Sequence, residues 1–149
     1  MIERPQKILL IGGDLTDSAR IESALRSGET GIFAEVTAAA PEAAWDRISE
    51  HKPLLAFVDL DALGNESIRI IAHLSRSASD VPLIAISGIS EETRAIQALQ
   101  AGAQDCLSVA DIDSLQLRRA VRYAIERNRF QNVQEETRQQ VSREHEFGV

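Results

Sequence analysis

The chain has 149 residues, 44% of them hydrophobic and 26% charged, with a net charge of −7; this is enough for one domain with a real core, and the acidic balance argues against nucleic acid as a partner. No stretch approaches the roughly 18 apolar residues of a membrane span, and "KILLI" is too short for a signal-peptide core, with no small-residue cleavage site after it. The single cysteine, Cys106, excludes an internal disulfide and suits a cytoplasmic setting.

In chain order, apolar runs alternate with helical patterns. The first run is "KILLI", residues 7–11. Residues 15–26 then place Leu15, Ala19, Ile21 and Leu25 at near-helical spacing, with Asp14 or Thr16 as N-cap and Gly28 and Gly31 ending the helix. The second run, 33–38, is weaker and alternates Phe33, Glu35 and Thr37 with Ala34, Val36 and Ala38. Pro41 suits the first turn of a helix that passes Ala44, Trp45 and Ile48 and ends near residue 51, before Pro53. The third run, 54–59, leads to a helix over 66–77 with Ile68, Ile71, Ala72 and Leu74 on one face. After the fourth run, 82–87, Ser90 is expected to cap a helix with Glu91 and Glu92 in its first turn; it carries Ala95, Ile96 and Leu99 and stops at Gly102. The fifth run, 105–109, precedes Asp113 and Gln116, which have capping-box spacing.

No proline or glycine occurs from Asp113 to Phe147, so the last helix is expected to run past the domain. If helical to residue 144 it is about 48 Å long. Phe130, Val133, Thr137 and Val141 form a thin stripe at coiled-coil-like spacing; a frayed tail is the alternative. The expected division is a domain over 1–130 and a helical extension or connector over 131–149.

The order is β-α five times. Runs one, three and four are continuously apolar, as strands buried on both faces of a parallel sheet are. Right-handed crossovers then cover the sheet with helices on both sides. In such sheets function gathers at the carboxyl ends of the strands, here Gly12-Gly13-Asp14, Ala38-Ala39, Asp59, Ser87 and Val109-Ala110.

The stretches "LLAFVDLDALGNES", "VPLIAISG" and "ALQAGAQDCLSVADIDSLQLRRAVRYAIERNR" resemble the receiver domain of bacterial two-component response regulators, over roughly residues 6–130. The resemblance implies a flavodoxin-like (βα)5 doubly wound parallel sheet in the order 2-1-3-4-5, with an extended C-terminal helix. It also assigns positions. Asp59 matches the phospho-accepting aspartate, and Ser87 the hydroxyl that contacts the phosphoryl group. Gly12 and Gly13 stand where the family has two magnesium-holding acids, with Asp14 one residue late. Val109 stands where the family has a phosphate-pairing lysine, Ala110 where it has proline or glycine, and Cys106 where it often has an aromatic residue.

Phosphoryl transfer depends on positioning and on neutralising charge, and magnesium is usually held through one or two carboxylates. Asp14 and Asp59 alone make a doubtful metal pair, so no cofactor is expected beyond weak magnesium binding. Asp61 is expected to point away from the site. Gly12-Gly13 therefore reads as a lost metal site, a small-anion cradle at a helix N-terminus, or a glycine turn without ligand; it lacks the G-x-G-x-x-G and P-loop spacings.

Other residues read more quietly. His51, His73 and His145 share no metal-ligand spacing. Cys106 reads as a small hydrophobe in a buried strand, and Trp45 as core or contact patch. Arg118, Arg119, Arg122, Arg127 and Arg129 read as a solvated face with intrahelical ion pairs rather than a nucleic-acid stripe.

The first functional expectation is a non-enzymatic receiver module with a degenerate phosphorylation pocket. It would act through protein partners, a histidine kinase or an output domain, and as a homodimer through its last strand and helices. The rivals are a working phospho-acceptor at Asp59 and a small-ligand or nucleotide sensor at Gly12-Gly13 and Ala38.

Overall fold

The computed structural model describes residues 4–88, 92–108 and 113–147, with side chains beyond Gln134 described only at Thr137 and Arg138. Five strands, β1 (Gln6–Ile11), β2 (Ala34–Ala39), β3 (Leu55–Asp59), β4 (Leu83–Ser87) and β5 (Asp105–Ser108), form one sheet in the order β2-β1-β3-β4-β5. Every neighbouring pair is parallel. Among the described residues, α1 (Leu15–Arg26), α2 (Ala44–His51), α3 (Leu60–Leu63), α4 (Ser67–Ser77) and α5 (Glu92–Ala101) lie between the strands, and α6 (Ser114–Phe147) follows the last.

Alternation along the strands builds two cores. Ile8 and Leu10 of β1, Leu55 and Phe57 of β3, and Ile84 and Ile86 of β4 face α1 and α6, meeting Ile21, Leu25, Leu117 and Val121. Leu9, Ile11, Ala56, Val58, Leu83 and Ala85 face the other helices, meeting Ala44, Ile48, Ile71, Leu74 and Ala98. Both faces are covered, which is why the three inner strands read as unbroken apolar runs. Burying one such side chain is worth about 1.5–3 kcal/mol. β5, at the sheet edge, is only half-buried, so Cys106 lies at the border of the core rather than within it.

Local signals set the helix ends. Asp14 caps α1: its carboxylate accepts the Asp17 N–H at 2.8 Å, and the Asp17 side chain accepts the Asp14 N–H at 3.2 Å. Pro41 begins a single 3-10 turn, Pro41–Ala43, and the α-helix starts only at Ala44. Asp113 and Gln116 form the reciprocal cap expected of them. The Ser90 cap lies outside the described residues. Within α5 it is Ala98 that is buried, while Ile96 and Leu99 face out. Gly102 has φ +126°, and a Cβ there would stand 2.5 Å from Ser75, whose hydroxyl donates to the Ala101 carbonyl at 3.0 Å.

α6 is one helix of 34 residues, about 51 Å long. Its arginines are not simply a solvated face. Arg118 is buried and donates to the Ala24 carbonyl and the Ser27 hydroxyl, both at 3.4 Å, at the end of α1 where the helix dipole favours a cation. Arg122 donates to the Thr30 carbonyl at 2.6 Å. Among the described residues of the helix, Arg129, paired with Glu126 at 3.3 Å, makes the expected intrahelical bridge. Buried Asn128 donates to the Ser79 carbonyl at 2.9 Å and fixes the helix further along.

Candidate functional site

The carboxyl ends of β1, β3 and β4 meet as the strand order requires, with Asp59 beside β4 through its pairing with Ile86. Asp59 leaves β3 in extended backbone and caps α3. Its Oδ1 accepts the N–H groups of Asp61 and Ala62, both at 3.1 Å. Leu60, fully buried, pins the first residue of this short helix, and Gly64 at φ +57° ends it.

That turn brings Asp61 into the site, contrary to the expectation that it points away. Its Oδ1 accepts the Ser87 hydroxyl at 3.0 Å and its Oδ2 accepts the Gly88 N–H at 2.7 Å. The Arg94 guanidinium lies 3.5 Å from Oδ1. The cause is local: two N–H groups captured by Asp59 wind the chain helically at once, and winding turns the residue two positions on toward β4.

The same turn places Leu63 over Gly12. Gly12 has φ +99°, and a Cβ there would stand 2.9 Å from the Leu63 Cγ. A Cβ on Gly13 would stand 2.4 Å from the Leu10 Cδ2. A side chain at either glycine would have to displace a leucine, and at Gly12 the backbone conformation disfavours one as well. The Asp17 N–H at the start of α1 is taken by Asp14, so one donor that an anion at this helix start would use is already occupied.

Electrostatics at Asp59 follow from this crowding. Burial, first of all, raises its carboxyl above the ordinary value of 3.8; the charges of Asp61 and Asp17 add to the rise, while the Ala62 and Asp61 N–H groups oppose it. Asp14 differs: hydrogen bonding, chiefly from the Asp17 N–H, holds its exposed carboxyl below the ordinary value. Asp17, not singled out by the sequence reading, is an acid whose field reaches Asp59, and both line a cleft of about 380 Å³ with Arg20 and Asp113.

The family resemblance implies a magnesium ion here, and Gly12 and Gly13 supply no carboxylate for it. Asp14 has one carboxylate oxygen committed to its helix cap and Asp59 has one committed to α3. No group of three His, Cys, Asp or Glu side chains able to hold a metal occurs among the described residues. Val109 and Ala110 lie outside the described residues. At Cys106, burial and then the Asp105 charge raise the thiol, which keeps it protonated and unreactive near neutrality.

Sequence reasoning missed α3, Leu63, Asp17 and Arg94. A signal for α3 existed in "DLDALG": an acidic cap, a buried leucine and a glycine stop. A four-residue helix is too short to show periodicity.

The response regulator receiver domain family model matches residues 8–122. With the five-stranded topology already in hand, the chain belongs to the response regulator receiver domain family. It is thus a receiver module of the kind found in two-component signalling.

Among solved structures it is similar to NtrX from Brucella abortus in complex with ADP, with a TM-score of 0.74 and 17% identity over 93% of this chain and 30% of that one. It is similar to the signal receiver domain of an HD domain-containing protein from Pseudomonas fluorescens, with a TM-score of 0.68 and 17% identity over 85% of this chain and 98% of that one. A CheY-like receiver domain protein from Methanospirillum hungatei gives 0.68 and 16%, over 86% and 99%. The chain spans about a third of the length of NtrX and nearly all of the isolated receiver domains. A search of curated proteins found no match.

Proposed function

We propose that this receiver domain relays signals by protein contact and without phosphoryl transfer, as a degenerate member of its family and not as an enzyme. The observation that carries the reading is the filling of the first acid position: Leu63 packs over Gly12, at a backbone angle that disfavours a side chain there. Without acids at Gly12 and Gly13, an acyl phosphate on Asp59 would add close to two negative charges beside Asp61 and Asp17, which already raise its carboxyl.

Contact surfaces are available for this role. Ile96 and Leu99 are 47% and 46% exposed on α5, beside the half-buried edge strand β5, and Phe130 and Val133 are 62% and 59% exposed along α6. We infer a homodimer through β5, α5 and α6, with α6 continuing as a connector toward an output partner. No helix among the described residues is long and apolar enough to cross a membrane, in keeping with the cytoplasmic setting proposed for this signalling module.

Two measurements test this. Magnesium plus beryllofluoride, which mimics a phosphorylated aspartate, should leave the melting temperature where magnesium alone leaves it; a clear rise would restore the working phospho-acceptor. Sedimentation equilibrium should show a dimer that Ile96→Glu with Leu99→Glu weakens by tenfold or more, and a monomer at every concentration would remove the dimer.

A further inference from the structure

We infer that the Asp61 carboxylate is a built-in occupant of an anion cradle formed by the Ser87 hydroxyl, the Gly88 N–H and the Arg94 guanidinium, tying the end of β4 to the start of α5 without any phosphoryl group. The inference rests on the reading that Asp59 is not phosphorylated.

The geometry is that of a bound anion. Two different donors, a hydroxyl at 3.0 Å and a backbone N–H at 2.7 Å, take the two oxygens of one carboxylate. The guanidinium adds the positive charge at 3.5 Å. Such charge-assisted bonds are about twice as strong as neutral ones. Ser87 is itself buried, so its hydroxyl is held in place by the strand that carries it. Gly88 matters to the approach: a Cβ there would stand 3.3 Å from the Asp61 Oδ2.

The occupant is fixed from its own side as well. Asp61 is positioned by α3, and α3 is started by Asp59 and anchored by Leu60. The residue at the family's acceptor position therefore acts here as a positioning residue. It aims a neighbouring carboxylate at the cradle instead of carrying an anion into it. Tethering removes most of the entropy cost of bringing an anion to the site, so free phosphate or sulfate cannot compete in the intact chain.

Emptying the cradle should therefore make it accept an outside anion. The probe is sodium sulfate, with sodium chloride at equal ionic strength as reference. Sulfate stabilises proteins generally, so the reading is the difference between variants. Asp61→Ala should gain about 3–5 °C more than wild type at sulfate about tenfold above its Kd. The gain should vanish in Asp61→Ala with Arg94→Gln and in Asp61→Ala with Ser87→Ala. Amide exchange in 92–108 should quicken in Asp61→Ala and slow again with sulfate.

An equal sulfate response in wild type and Asp61→Ala would overturn the inference. If Asp61→Ala does not fold, Ser87→Ala and Arg94→Gln in the intact chain decide the matter. Each should quicken exchange at Gly88 and along α5, and unchanged exchange in both would overturn it. A sulfate failure with beryllofluoride still inactive sinks this inference alone, whereas a beryllofluoride adduct on Asp59 sinks the functional reading beneath it.

Discussion

Asp59 illustrates how one residue keeps its place while its chemistry changes. Its position at the end of β3 was readable from an apolar run closing on an acid, but its partners were not, because they depend on the turn that follows. Since burial raises its native pKa above 3.8, the native state holds that proton more tightly than the unfolded chain. Ionisation therefore costs stability as pH rises from about 3.8 through the native value, and the cost is complete above it. Asp59→Asn keeps the Oδ1 that accepts from Asp61 and Ala62 and removes the charge. It should raise the melting temperature at pH 7 by about 1–2 °C, a modest figure because the group is only partly buried and solvent screens its charge. The gain should fade toward pH 3. A loss at pH 7 would mean that the charge itself is needed for the cap. Gly12→Asp tests the same site from the other side. Strain at φ +99° and the Leu63 contact together predict destabilisation by about 2–4 kcal/mol in a urea melt, with part regained in Gly12→Asp with Leu63→Ala.

At the scale of elements, the strands and the long helices were legible because burial on two faces and helical spacing each leave a period in the sequence. What escaped was short or dependent on the edge. The four residues of α3 leave no period, and the apolar run of β5 reads as a buried strand although it is the edge strand and only half-buried. Arg118 and Arg122 were read as solvated because their carbonyl partners lie some ninety positions away in sequence. The α1 cap offers a check on local reasoning. Asp14→Ala should lower the melting temperature, since it removes the acceptor for the Asp17 N–H. Because hydrogen bonding lowers the native Asp14 pKa below 3.8, the carboxylate stabilises the native state above that value. The deficit should therefore be full near neutrality and shrink as pH falls through the lowered native value. A pH-independent deficit would assign it to helix propensity instead.

For the molecule as a whole, the anchors of α6 separate stability from association. The last described tertiary contacts of the helix are made by Asn128, which reaches Ser79, and Gln131, which meets Gln104 at 3.4 Å. Ending the chain after Gln134 should leave the thermal midpoint nearly unchanged and weaken the dimer. A large drop in the midpoint would show that the later helix belongs to the folding unit.

The most direct measurement is intact mass after incubation with acetyl phosphate and magnesium, with Asp59→Asn in parallel. We predict that both proteins keep their unmodified masses, since the acid position at Gly12 is closed by Leu63 and the anion position at Ser87 is taken by Asp61. One phosphoryl group per chain on the natural protein, missing from Asp59→Asn, would contradict the account.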